Sequence, residues 1–476
     1  MRIAFIALFV VGVVGCGSSR APVKEAPLMV GLAVRDITPP LGYRLAGYYY
    51  ERLATAVHDP LQAKAIVFQQ GNVRFALVEC DLCQTSSEVV GRARAEIERR
   101  TGIAADHVCI ASTHTHTGPD YFGPLAEHLH KLAMDANGGN DPAVTVDYQE
   151  FLAGRIVEAV VKAAGDLRAA QLEPTRAYPS QISFNRRYRM KDGTVATNPG
   201  KRNPNILEPA GPVDPCPEVL GIHRAGSDDY RACDAILTNF PLHADTVGGT
   251  DLSADFPYYL EERLRRDYKR PNLVSIFAQG TSGNINHVNV ATADPQKGFE
   301  EAEGIAFVLA SQIGAQLGAG VDRAWPRMGV ASGRVELPLQ QYTPEEIASA
   351  RSLFAKIQDR KLPFLVGVKA VKIVKIADRY HGGPISAQVQ ALRLSDDTAI
   401  VMVPSELFVE FGLEIKRRSP FAHTMVIELA NDSFGYVPTK RAFEEGAYEP
   451  TNALIAPGGG EQIVELAVRL LGELKS

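Results

Sequence analysis

The sequence predicts an α/β fold: a mixed or mainly parallel sheet with helices on both faces. Three observations carry this. Short β-rich apolar runs alternate with segments of helical spacing along the chain, as strands joined through helices do. Apolar residues make up 45% and charged residues 22% of the 476, a globular balance rather than a disordered or fibrous one. No repeat of 20–50 residues and no low-complexity segment points to a solenoid or an array.

In order, the chain begins with Met1-Arg2, an apolar run from Ile3 to Val14, Gly15-Cys16 and a polar stretch. A positive start, about a dozen apolar residues and a small residue at the cut are signal-peptide architecture. The run is too short to span a bilayer, which takes about 20 apolar residues. Val13-Val14-Gly15-Cys16 resembles a bacterial lipobox, in which the cysteine becomes the lipid-modified first residue; the alternative is an ordinary secretory signal. The expected organisation is therefore a signal peptide over 1–15, a lipidated N-terminus and tether over 16–28, and one enzyme-sized domain over 29–476. Gly17 in place of an aspartate directs the expectation to the outer membrane, facing the periplasm or the exterior, with the lipid on Cys16 as the membrane contact.

Strands are predicted at 29–34, 65–68 and 73–78, the last two joined through Gly71-Asn72. A helix over 87–100 is expected to close at Gly102. The strand 108–111, the helix 148–167, the strand 235–240, the helix 255–266, the strand 273–278 and the helix 298–317 follow. Late strands are read at 399–403 and 424–428, and a last helix from 462 to 474. Two segments look inserted. Residues 179–217 are rich in Pro, Asn and Arg and are expected to frame a mouth over the site. Residues 343–359 read as a helix with Thr343 as N-cap and Pro344 in its first turn.

A net charge of −5 gives no footprint for nucleic acid. Beyond Cys16 five cysteines remain, an odd number, so at least one is unpaired within the chain. Cys80 and Cys83 form a CxxC, but no second such pair exists, and buried small hydrophobes are the better reading. One disulfide among the later cysteines stays open.

The polar residues of interest follow predicted strands: Asp81, His114 and His116, His243 and Asp245, Asn284 and Asn286, Glu406, Tyr436. Ligands of open α/β sheets bind beyond the carboxyl ends of strands, so this convergence predicts a site there. The strongest local pattern is Thr113-His114-Thr115-His116-Thr117-Gly118-Pro119. Extended chain alternates its faces, so His114 and His116 point the same way, as two imidazoles on one metal would. A surface loop with paired histidines is the competing reading of those residues alone. Nothing resembles HExxH, a Gly-rich phosphate loop or GxSxG.

These motifs, taken together, resemble the neutral (alkaline, non-lysosomal) ceramidase family. Asp36-Ile37-Thr38-Pro39-Pro40, His58-Asp59-Pro60-Leu61, the Thr113–Pro119 run, Asn185-Arg186, Phe240-Pro241-Leu242-His243, Phe277-Ala278-Gln279, Pro404-Ser405-Glu406, Gly435-Tyr436-Val437-Pro438-Thr439 and Tyr448-Glu449 occur in the family's order, from about residue 29 to about 450. The resemblance implies a single zinc ion held by His114, His243, Glu406 and Tyr436, an N/O donor set that suits zinc. It implies that His116 moves a proton or bonds the reacting carbonyl, that Tyr448 donates to the developing oxyanion, and that Arg186 (or its neighbour Arg187) contacts substrate. Asp81 and His58 are expected to orient ligands or to serve as structural groups. Read singly, Glu406 could serve a helix start and the tyrosines could be core aromatics.

Two departures from the family stand out. Asn286 occupies the position of a serine once proposed as a nucleophile; an amide can bond an intermediate but cannot attack, so attack by zinc-activated water is expected. The chain also ends at Ser476, so the expectation is the catalytic domain alone, without the C-terminal β-sandwich. The resulting reading is a zinc amidohydrolase acting on a small-molecule or lipid-like amide. A zinc esterase on a related lipid or sugar ester, and a ligand-binding lipoprotein without turnover, are the alternatives.

Overall fold

Alternation of side chains along the strands decides the layering. The structure is a computed structural model that describes residues 26–178, 181–226, 229, 233–318, 326–358 and 361–476. The leader and Cys16 lie outside the described residues.

Eight strands form a large sheet: β1 (Leu28–Asp36), β2 (Gln62–Gln70), β3 (Val73–Cys80), β4 (Val108–Ser112), β5 (Arg168–Arg176), β6 (Glu218–Arg224), β7 (Cys233–Phe240) and β8 (Val274–Gln279). Their order is β8-β7-β6-β5-β1-β2-β3-β4. A second sheet holds β9 (Pro326–Leu337), β10 (Ile385–Ser395), β11 (Thr398–Met402) and β12 (His423–Ile427), in that order. Both sheets are mixed, and antiparallel pairing predominates, so the mainly parallel option is set aside. Among the described residues the parallel neighbours within these two sheets are β3 with β4, β7 with β8 and β11 with β12.

Even-numbered residues of β2, such as Ile66 and Phe68, join Leu77, Cys109, Leu237 and Ile276 in a core shared with Ile400, Met402, Met425 and Ile427 of the second sheet. Odd-numbered residues of β2, such as Ala65 and Val67, face α1 (Ser87–Thr101) and α3 (Tyr148–Gly165). Helices α4 (Phe256–Tyr268) and α5 (Phe299–Gln316) cover β7 and β8 on that same outer side. The outer face of the second sheet carries α8 (Val409–Arg418) and α9 (Gly459–Lys475). The layers therefore run helix, sheet, sheet, helix. Each sheet has helices on one face and the other sheet on its second face, which corrects the expectation of helices on both faces. The second sheet was underestimated because β9 and β10 read poorly as strands: β9 carries two glycines, and every second residue from Ser332 to Glu336 is more exposed or charged.

Local signals hold where side chains themselves set the ends. The Ser86 hydroxyl accepts from the Val89 N–H at the start of α1, and Gly102 closes it at φ 70°. A full capping box between Thr343 and Glu346 opens α6 (Pro344–Phe354). Helices α2 (Pro124–Ala136) and α7 (Phe364–Arg379) were not anticipated. The inserted segment forms a small sheet of 187–190, 195–197 and 206–209, and its 184–185 strand pairs with 285–286. It delivers Arg186, whereas the cavity mouth is walled by the start of α2 and by α7. All five described cysteines are free, and no disulfide forms among them. Among the described residues no helix is long and apolar enough to cross a membrane.

Close packing of α3 on β1 depends on Gly31, where an added Cβ would fall 1.9 Å from the Ala163 carbonyl oxygen. That oxygen is backbone and cannot step aside. Gly31→Ala is expected to destabilise the fold by about 1–3 kcal/mol, the usual cost of overpacking, read as a lower midpoint in denaturant. A midpoint equal to that of the unmodified protein would contradict the packing described.

Candidate metal centre

Parallel neighbours end on the same side of a sheet, and the three parallel pairs deliver the site. His114 follows β4, His243 follows β7, and Glu406 follows β11. The segment after β12 ties these ends together. Glu428 N–H donates to Gln279 O of β8 (2.9 Å) and Asn431 N–H to Ile110 O of β4 (2.7 Å). A two-residue parallel bridge, Glu406–Leu407 with Tyr436–Val437, sets Glu406 directly beside Tyr436.

His114 sits at φ 71°, a left-handed conformation that costs a non-glycine residue about 1–3 kcal/mol and tends to mark functional sites. Its Nδ1 lies 2.7 Å from the Cys83 carbonyl oxygen. Carrying the proton on Nδ1 leaves the Nε2 lone pair free, as a ligating histidine requires. That Nε2 is 3.4 Å from Glu406 Oε2, and His243 Nε2 is 3.5 Å from the same oxygen. All three side chains are buried, and their donor atoms lie within 4.8 Å of one another. Two donors at 2.0–2.1 Å from one tetrahedral ion stand about 3.3–3.4 Å apart, close to the separations found. Glu406 Oε2 and His243 Nδ1 are buried without a hydrogen-bond partner, a costly arrangement for a polar atom unless a cation offsets it at the carboxylate.

Cys83, His114 and His116 form a second possible trio. There, however, the sulfur approaches His114 from its Nδ1 side, at 3.9 Å, where the Cys83 carbonyl already takes the proton. The set of His114, His243 and Glu406 fits a cation better.

With no cation between them, the three side chains act on one another's charge. Burial alone would raise the Glu406 pKa, but His114 and then His243 overcome it and hold the carboxyl well below its ordinary range. Burial opposes charge on His114, yet Cys83 and Glu406 outweigh it and hold its pKa well above the usual value. Burial, with Arg186 and His114 acting the same way, pushes His243 well below. His116 is pulled down by burial to about 4, partly offset by Asp245.

His116 presents Nε2 to His114 Nε2 at 3.4 Å and Nδ1 to Asp245 at 3.3 Å. Asp245 is in turn held by the Tyr48 hydroxyl at 2.6 Å. Gly47 lets the chain pass over this ring: at φ 98°, a Cβ there would meet the imidazole at 2.6–2.7 Å. Arg186 donates through Nε to Glu449 (2.8 Å) and through Nη2 to Gly283 O (2.8 Å), and Nη1 lies 3.2 Å from His243 Nε2. Its guanidinium stands 5.2 Å from the centre of the Tyr436 ring. Arg187 turns instead to Glu449, Gly446 O and Glu445, so of the two arginines Arg186 faces the cluster. Tyr448 packs on Tyr436 at 5.4 Å between ring centres, and its hydroxyl meets Tyr49 and Asn452. A cavity of about 170 Å³ opens on His114, His116, Glu406, Tyr436 and Tyr448.

Asn286 stands apart. Its Nδ2 donates to Asn198 (2.8 Å) and its Oδ1 accepts from the Val288 N–H (3.0 Å), while the Asn198 N–H donates to Arg186 O. It braces the strand that carries Arg186. Asp81 accepts from the Thr113 hydroxyl (3.3 Å) and the Gln62 N–H (2.9 Å), and so holds the turn before His114. His58 does not orient a ligand: it is exposed, stacked on Phe299 and bonded to Tyr259. The most consequential residue without an assigned role is Glu449, buried between both arginines and the Thr197 hydroxyl. Its place directly after Tyr448 was visible, but nothing in a lone glutamate announces two arginine partners. Glu449→Ala leaves Arg186 without a carboxylate partner and Arg187 with Glu445 alone, and is expected to cost about 3–5 kcal/mol, read by denaturant unfolding; a loss below about 1 kcal/mol would contradict the pairing.

No family model matches the chain. Over 294 residues, 60% of this chain, it is 25% identical to the neutral ceramidase of Pseudomonas aeruginosa, and the match spans 41% of that protein's length. The fold is similar to a crystal structure of neutral ceramidase from Pseudomonas aeruginosa, with a TM-score of 0.72 and 19% identity, covering 95% of this chain and 75% of that one. A ceramidase complexed with C2 gives a TM-score of 0.70 at 18% identity, over 94% and 75% of the two chains.

Proposed function

We propose, from a chain related to neutral ceramidase in sequence and sharing its fold, that this protein is a one-zinc hydrolase cleaving a linear amide in a lipid-like substrate. The observation that carries the reading is the buried Glu406 oxygen, without a hydrogen-bond donor and 3.4–3.5 Å from two imidazole nitrogens. His114, His243 and Glu406 would hold the ion, with the phenol of Tyr436 as a fourth donor. When bound, such a cation polarises a carbonyl and lowers the pKa of a coordinated water towards about 7.

The chain's own groups supply the rest. His116, with Asp245 3.3 Å from its Nδ1, holds or passes a proton through Nε2 beside the cluster. Tyr448 O–H donates to the negative charge that develops on the carbonyl oxygen. Arg186, fixed by Glu449 and Gly283, keeps His243 and Tyr436 in place. Asn286 offers no nucleophile, so the reading is direct attack by water without an acyl-enzyme. A lipid-like substrate is supported beside the cavity, where the exposed Phe364 stacks on Tyr448 at 5.7 Å and leads into the exposed Leu365 and Val366 of the same helix end. The leader and Cys16 add a location in the same reading: an envelope lipoprotein, probed by whether fatty-acid labelling disappears in Cys16→Ser.

Purified protein is expected to hold one zinc per chain by elemental analysis, and His114→Ala to lose it; zinc well below stoichiometric and unmoved by the substitution would end the proposal. His116→Ala is expected to keep zinc and lose about 10²–10⁴-fold in kcat, the range of a general acid or base; full activity would remove His116 from the reaction. On matched N-acyl amides and esters, the amides should be turned over; cleavage of esters alone would make the enzyme an esterase.

A further inference from the structure

The catalytic cavity has a wall that the proposed reaction leaves unused. Val371, Lys372 and Lys375 of α7 line the same space as His114, His116 and Glu406. Lys372 is 4% exposed, and its Nζ donates to the neutral Gln340 Oε1 at 3.1 Å, with the Tyr342 ring at 5.6 Å. Lys375, one turn further on, is half-buried. Asp432, Glu406 and Glu127 act on it, with Arg379 opposing, and none of these carboxylates is paired with it. Burial draws both ammonium groups down to about 8, so both remain mainly charged at neutral pH. Two cations inside one pocket with no paired acid constitute an electrostatic demand that a ligand can meet.

We propose that this wall is an anion subsite, so that the substrate carries a carboxylate, phosphate or sulfonate that reaches Lys372 and Lys375 while its amide meets the His114–Glu406 cluster. The inference rests on the amidase reading above and narrows it. The exposed apolar residues Phe364–Val366, joined to the cavity through Phe364 and Tyr448, take the acyl part, and the lysines take the charge. The substrate class is then an anionic N-acyl amide rather than a neutral one. Lys372 has a competing structural use, because Gln340 also donates to Ala453 O and Ile455 O; Lys375 has no such tether and is the residue to change.

The test compares N-dodecanoylglycine, N-dodecanoyltaurine and N-dodecanoyl phosphoethanolamine with the neutral N-dodecanoylethanolamine, on the purified zinc-containing protein, by kcat/KM and by calorimetric affinity. At least one charged probe is expected to exceed the neutral one tenfold or more in both, and the ranking of the three identifies the anion. Lys375→Gln should weaken the preferred charged probe at least tenfold more than the neutral one, through KM, with zinc content unmoved and Lys375→Arg restoring the preference. Equal treatment of charged and neutral probes by the unmodified protein, or an equal loss on both in Lys375→Gln, overturns the subsite. If no amide is cleaved, the amidase reading fails by itself, and the calorimetric comparison still decides the subsite.

Discussion

A carboxylate oxygen buried without a donor is the constraint from which the account follows. Glu406 enters a pocket floor where His114 and His243 turn their Nε2 atoms towards it, and no N–H or O–H answers Oε2. Removing such a group from water is costly unless positive charge replaces the lost hydration. The backbone around it is also held in uncommon conformations: Ser405, Leu429 and Asn431 share with His114 a positive φ, between 55° and 71°. Strain of that kind persists only where the surroundings over-determine it. The surroundings do so here, since Glu428 accepts from the Leu407 N–H at 2.7 Å and from the Ser282 N–H at 3.0 Å, pinning the residue after Glu406.

The layered fold explains how distant residues meet. Antiparallel neighbours send their ends in opposite directions, and most pairs in both sheets are antiparallel. The three parallel pairs are the exceptions, and each releases its chain on the side of the cluster. Packing the sheets face to face, through Ile66, Leu77, Leu237, Ile400 and Met425, brings Glu406 from one sheet against His114 and His243 from the other. The donor set is thus a consequence of sheet-on-sheet packing, and a change that slips one sheet over the other would separate the donors without touching any of them.

Much of this was legible in the sequence. The strand over 108–111 and a site just beyond its end were legible, but the expected alternation of an extended chain was not the cause: His114 sits at φ 71°, and a turn brings its Nε2 to 3.4 Å from that of His116. The Gly102 and Thr343 caps were readable because a single side chain or a missing Cβ sets them. What was not legible depends on partners far away in the chain. The even residues of β2 look like any apolar alternation, and only the second sheet tells which layer they meet. Helix α7 was not anticipated at all; its Lys369, Lys372 and Lys375 recur every three residues, and nothing in that spacing shows that Lys372 is buried in a cavity wall. Asn286 was expected at the substrate from its position among family motifs, and the partners its amide holds, Asn198 and the Val288 N–H, are not visible in that position. His58 sat in a matching motif yet lies on the surface.

Anomalous diffraction from crystals of the purified protein, collected on either side of the zinc absorption edge, tests the central claim most directly. The account predicts one zinc peak per chain, bounded by His114 Nε2, His243 Nε2 and a Glu406 oxygen at about 2.0–2.2 Å. A peak seated instead on Cys83 and His116, or a well-ordered cluster whose Glu406 oxygen is met by a protein donor and no metal, would contradict it.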